Sequence, residues 1–282
     1  MKACRQVSRR FVAPEVMMGD IKIRQAIPTN SIEQISPFLL LHHFDKIIEP
    51  GDDRFYVAPH PHRGFCPITF LFEGGVEHRD SLGNEFTIER NEVQWINAGR
   101  GLIHSEKASK QFIEAGGQYQ GIQLWINLPA AQKLSSPQYM PITSNKMEPV
   151  INNGCELRLV SGTLNGKTGP GPSEVTTAML RMEPDGFFEF EKPSRENTVI
   201  YILEGEIQLN NQTAAGNKML VTFESTDGPI KILAKKTSKL LLLSGSPINE
   251  PLATYGPFVM NTQTEIMEAV RDYQNGKMGF LY

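Results

Sequence analysis

The stretch "HPHRGFCPITFLFEGGV", residues 60–76, has a counterpart in "EKPSRENTVIYILEGEI", residues 191–207. Each is a run of β-branched, aromatic and aliphatic residues that closes on a Glu-Gly pair. Such runs, bounded by turn residues, mark strands, and a repeated unit marks a duplication. Short strand-length runs continue outward from both copies. "FTIE", "VQWI" and "GIQLWIN" follow the first; "EIQL", "MLVTF", "IKIL" and "KLLLL" follow the second. Regular short strands separated by Gly, Asn, Asp and Pro predict an all-β chain built as two similar barrels.

One segment breaks the pattern. In "NTQTEIMEAVRDYQNG", Ile266, Val270 and Tyr273 recur at helical spacing, Thr/Asn residues precede them, and Gly276 follows, which predicts a short C-terminal helix. Between Leu128 and Val150 the chain carries four prolines and loses its strand periodicity. The expected organisation is therefore an N-terminal barrel over residues 1–130, a linker over 131–149, and a C-terminal barrel with the helix over 150–282.

Composition narrows the function classes. A formal charge of −3 and 21% charged residues describe no general polyanion binder, and the basic patch "RQVSRR" is too short to change that. The longest apolar runs fall far short of a membrane span, and the N-terminus lacks the apolar core of a signal peptide. Three cysteines at irregular spacing argue against a disulfide framework and for a reducing compartment. The expectation is a soluble cytoplasmic protein with no nucleic-acid or membrane partner. It is expected to be a monomer, since duplicated halves can pack on each other.

The histidines carry the chemistry. Six occur in 282 residues, and none follows His104. His60 and His62 stand one residue apart among prolines that favour an extended backbone, so their side chains share a face. In "GRGLIHSE", His104 and Glu106 repeat that spacing. The alternation places Cys66, Ile68, Phe70 and Phe72 in step with the first pair if no bulge intervenes. Three imidazoles and one carboxylate converging in an apolar cavity form a site for a first-row transition metal; a closed zinc site fits the same ligand count. His42 and His43 are adjacent and so point to opposite faces, and His78 precedes a turn; structural roles are expected for all three. "GTLNGKT", residues 162–168, mimics a phosphate loop but is one residue short and is not followed by a helix, so it reads as an ordinary loop.

The combination of "PFLLLHHFD", "PHPHRGFCPITFLFEG", "HRDSLGN", "GRGLIHSE", "GIQLWINLP" and "YGPFVMNTQTEIMEAVRDYQNGKMG" resembles the pirin family over nearly the whole chain. The resemblance implies a bicupin, two cupin-type barrels of which only the first binds metal. It implies His60, His62, His104 and Glu106 as iron ligands, with Fe(II) the expected ion and Zn, Cu, Ni, Mn and Co compatible. One departure is His42, where pirins usually carry an acidic residue.

Two functions follow from the resemblance. The first is a quercetin 2,3-dioxygenase-like oxidoreductase that opens a flavonol with O₂. In it Glu106 is the catalytic group that takes the flavonol proton, and Gln123, Trp125 and Cys66 are candidates for the substrate pocket. The second is an iron-dependent regulatory module that binds a transcription factor or a metabolic enzyme as protein partner.

Overall fold

Two identically ordered sets of strands organise the computed structural model, which describes residues 2–19 and 21–281. In the first set, the antiparallel strands Gln138–Ile142, Glu92–Asn97, Phe65–Glu73, Gly117–Asn127 and Phe38–Ile48 lie side by side in that order. A second sheet runs Tyr56–His62, Leu102–Ala108, Val76–Asp80, Glu85–Ile88. The other set repeats this order. Met219–Phe223, Asn197–Glu204, Ser238–Gly245 and Val175–Met182 form the core of one sheet. Phe187–Glu191, Pro229–Ala234, Glu206–Leu209 and Thr213–Gly216 form the other. The duplication expected from the two "EG" stretches is thus a duplication of topology, and the chain is all-β with a short C-terminal helix.

The boundaries differ from the expected ones. The chain divides into Phe38–Thr143 with Ile248–Tyr282, and Met1–Pro37 with Ser144–Pro247. The strand Val7–Val12 pairs with Met219–Phe223, so the N-terminus completes the sheet of the second half. Arg5, from the basic patch, is 1% exposed. Its guanidinium donates to the carbonyls of Glu224 and Glu196 and to Thr198 Oγ1. The C-terminal helix, Gln263–Gln274, belongs to the first half. Ile266 and Ala269 pack in one buried cluster with Ile103, Phe258 and Met260, and Arg63 pairs with Asp272 at 3.0 Å. Strand pairing and helix docking are long-range events, and local composition does not say which half a terminal segment joins.

The expected linker is also partly structure. Its Gln138–Ile142 segment is an edge strand, a place where Pro141 is tolerated because one side of the backbone has no ladder to complete. A second, one-and-a-half-turn helix, Lys110–Ala115, is capped by Ser109 Oγ. The phosphate-loop mimic is a small hairpin, Thr163–Leu164 with Lys167–Thr168. Among the described residues no helix is long and apolar enough to cross a membrane.

Pairing register shows why the histidines gather in only one half. His104 lies opposite His60, and Glu106 opposite His78. In the other half the corresponding ladder pairs Ile230 with Phe190 and Ile232 with Leu209. All four are fully or almost fully buried in one apolar cluster. The ungapped sequence alignment sets His60 against Glu191; the ladder sets it against Phe190.

Candidate metal centre

The histidine site grows from one pair of antiparallel strands. On Tyr56–His62, the i, i+2 spacing puts His60 and His62 on one face. On the neighbouring Leu102–Ala108, His104 sits directly across from His60. The register shifts between His104 and Glu106, where Glu106 pairs with Val57. The ligand atoms of His60, His62 and His104 all lie within 4.8 Å of one another. Ring centroids are 4.7 Å apart for His60–His62, 4.4 Å for His60–His104 and 4.9 Å for His62–His104.

The protein does not satisfy these rings by itself. His62 is 2% exposed and His104 0%, and neither ring nitrogen of either residue has a hydrogen-bond partner. Burial drives both imidazoles well below their usual pKa, and the neighbouring histidines push the same way. For His62 the Pro257 carbonyl opposes this, though no hydrogen bond of ordinary geometry forms. At neutral pH both rings are therefore uncharged. Leaving one buried polar group unpaired costs about 1–3 kcal/mol. A bound cation removes that cost, and neutral imidazole with carboxylate suits a divalent first-row ion. His60 Nδ1 donates to the Ala58 carbonyl at 2.9 Å, which leaves its Nε2 for a ligand bond.

Glu106 is 8% exposed and stands beside this cluster rather than within it. Its Oε1 accepts from Gln94 Nε2 and, at 3.4 Å, from Thr69 Oγ1; Gln94 also donates to Thr69 at 3.2 Å. Both contacts fall on Oε1, which leaves Oε2 to serve as ligand or base. Hydrogen bonds behind a ligand of this kind orient it and tune the ion. Tyr139, from the edge strand in the expected linker, stacks on His78 with centroids 4.1 Å apart. Its hydroxyl is held far above the usual range by burial and by Glu106. His78 is fully buried on Val76–Asp80, and its Nε2 lies 3.1 Å from Asp80 Oδ2.

Of the expected pocket residues, Trp125 lies against the site, its ring 5.5 Å from His62 and 4.3 Å from Phe65. Gln123 pairs with Thr69 and shares its face. Cys66 does not. Thr69 reaches Glu106, so the odd-numbered residues of Phe65–Glu73 face the metal side, and Cys66, Ile68 and Phe70 face the other way. The expected alternation fails because Arg63 and Gly64 interrupt the two strands, with Gly64 at φ +86°. Cys66 lies instead near the buried ammonium of Lys133. Gln94, Thr69 and Tyr139 escape sequence reasoning. A glutamine inside the strand-like "VQWI" is the one signal for them, and it names no partner.

Comparison with known proteins places the chain in a family. Residues 20–126 match the family model described as pirin, and residues 177–279 match the pirin C-terminal cupin domain. A quercetin 2,3-dioxygenase from Acinetobacter baumannii, solved by crystallography, superposes with a TM-score of 0.91 at 30% identity. That match covers 99% of this chain and 100% of the other. The bacterial pirin YhhW from Escherichia coli, solved in complex with nickel(II), shares the fold at a TM-score of 0.65 and 19% identity, over 85% of this chain and all of the other. Pirin-like protein 2 from Arabidopsis thaliana is 34% identical over 98% of this chain and 86% of its own length. With two cupin domains, a histidine cluster confined to the first, and relatives of this kind along its whole length, the chain belongs to the pirin family.

Proposed function

We propose that the chain is a metal-dependent dioxygenase acting on flavonol-type substrates, with His60, His62, His104 and Glu106 holding the ion and Fe(II) as the ion loaded. The observation that carries this reading is the set of buried imidazole nitrogens with no partner, gathered beside His60 and a carboxylate. The similarity to a solved protein named as a quercetin 2,3-dioxygenase supports the substrate class.

When bound, the metal supplies Lewis acidity for a phenolic oxygen and a redox centre for O₂ chemistry. The remaining work falls to the chain's own side chains. Glu106 is placed to accept the proton of the flavonol 3-hydroxyl, because Gln94 and Thr69 hold Oε1 while Oε2 stays available. Trp125, half-buried and backed by the buried ring of Phe65, supplies an aromatic wall for a flat substrate. Burial of His62 and His104 keeps water away from the reacting centre.

The test is oxygen uptake by protein loaded anaerobically with ferrous iron and mixed with quercetin. Consumption that needs both quercetin and His104, shown with H104A, is expected. No uptake by protein with iron shown to be bound overturns the reading.

A further inference from the structure

His62 stands at the end of an edge strand. Tyr56–His62 is the outermost strand of its four-stranded sheet, with Leu102–Ala108 as its neighbour there, and His62 is its last residue. Two positions on, Gly64 turns the chain at φ +86°. Backbone with few neighbours opens first, whereas a metal ligand must be held within about 0.5 Å of its productive place. What holds this end of the strand comes from the far end of the chain.

The segment Ile248–Tyr282 folds with the first cupin domain. Beside His62, the backbone of Arg63 bridges to Phe258. Its N–H donates to the Pro257 carbonyl at 3.3 Å, and its carbonyl accepts from Val259 N–H at 3.0 Å. The side chain of Arg63 is buried and spans two further segments. Nε donates to the carbonyl of Arg100, in the turn that leads into the His104 strand, at 2.6 Å. Nη1 and Nη2 donate to Asp272 Oδ2, on the C-terminal helix, at 3.1 and 3.0 Å. Lys277 Nζ donates to the other oxygen of Asp272 at 2.7 Å. Beside His104, Ile103 N–H donates to Ser81 Oγ at 3.0 Å, and that hydroxyl donates to the Met278 carbonyl at 2.7 Å. The C-terminal segment thus secures the residue after His62 and the residue before His104. Apolar packing of Ile266, Ala269 and Met278 already docks the helix. The ion pair adds direction, because the donors of a planar guanidinium stand at fixed angles and fix Arg63 against Arg100 and Asp272 together.

We propose that Arg63 and Asp272 are positioning residues for the metal centre: through this pair the C-terminal helix sets the orientation of His62 and the spacing between the two histidine strands. This rests on the reading of His60, His62 and His104 as ligands.

The test is made on the full chain under anaerobic conditions, with D272N, which keeps the shape of the side chain and removes its charge, and D272A, which removes its oxygens as well. Competition against a chromophoric chelator gives the Fe(II) dissociation constant. It is expected to rise about tenfold in D272N and further in D272A, at the low end of the range for groups that orient ligands. The visible ligand-field bands of cobalt(II)-loaded protein are then compared at saturating metal, where only folded, loaded chains contribute. Both variants are expected to show bands displaced from those of the unmodified protein. D272N decides the matter should D272A fail to fold. A dissociation constant in D272N within about threefold of the unmodified value, small against the effect of groups that orient ligands, overturns the inference. Weaker binding with an unchanged cobalt spectrum also overturns it, since it marks the pair as purely structural. In both cases the ligand reading stands. Absence of iron binding by the unmodified protein overturns that reading, and the inference with it.

Discussion

Replacing Gln94 with leucine removes the amide that holds Glu106. Gln94 is 1% exposed, and its Nε2 donates both to Glu106 Oε1 and to Thr69 Oγ1. Leucine keeps the approximate volume and donates nothing, so Glu106 Oε1 retains only the long contact from Thr69 at 3.4 Å. A hydrogen bond to a charged group is worth about 1.5–3 kcal/mol. The ordering it provided must then come from the metal itself, so the metal dissociation constant should rise by about 10- to 150-fold, in line with the effect of other groups that orient ligands. Competition against a chromophoric chelator under anaerobic conditions measures the change directly. Gln94→Glu should be worse, since it sets a second carboxylate against the first. An affinity within threefold of the unmodified protein in the leucine variant would refute the idea that Gln94 positions Glu106.

Gly64→Ala should destabilise the metal-binding domain by about 2 kcal/mol or more. The φ of +86° is strained for any side chain, and the added methyl would fall on the Val259 carbonyl oxygen; chemical denaturation checks it. Arg5→Met should cost about 3 kcal/mol, because four acceptors lose a charged donor. That loss should show in denaturation of the second cupin domain with metal content unchanged. Metal-free protein should lose stability on acidification. His42 has a folded pKa of about 4 against 6.5 unfolded, so its contribution is complete above pH 6.5 and disappears as pH falls toward 4. The difference amounts to about 3 kcal/mol. His62 and His104 act in the same direction. Urea titrations at several pH values test this, and H42Q should show a shallower decline.

The spacing of the histidines was legible because it is local: on an extended segment, i and i+2 side chains share a face. That His104 comes across from His60 is a long-range event, since the strands that carry them are separated in the chain by the strands Phe65–Glu73, Val76–Asp80, Glu85–Ile88 and Glu92–Asn97. What escaped depends on pairing between distant strands. The face of Cys66 turned on the Arg63–Gly64 interruption, which alternation counted through without a break. Tyr139 was hidden by prolines that suggest a linker and are tolerated on an edge strand. The exchange of termini between the two halves follows the same rule: Val7–Val12 reads in the sequence only as part of a basic patch, and its pairing with Met219–Phe223 decides where it belongs.

Metal stoichiometry tests the central claim most directly. The protein, H62A and H104A are each loaded anaerobically with ferrous iron, passed through a desalting column, and assayed by plasma mass spectrometry. One iron per chain is expected for the unmodified protein, and less than a tenth of that for either variant. Equal iron in H104A and the unmodified protein, with both folded, would contradict it.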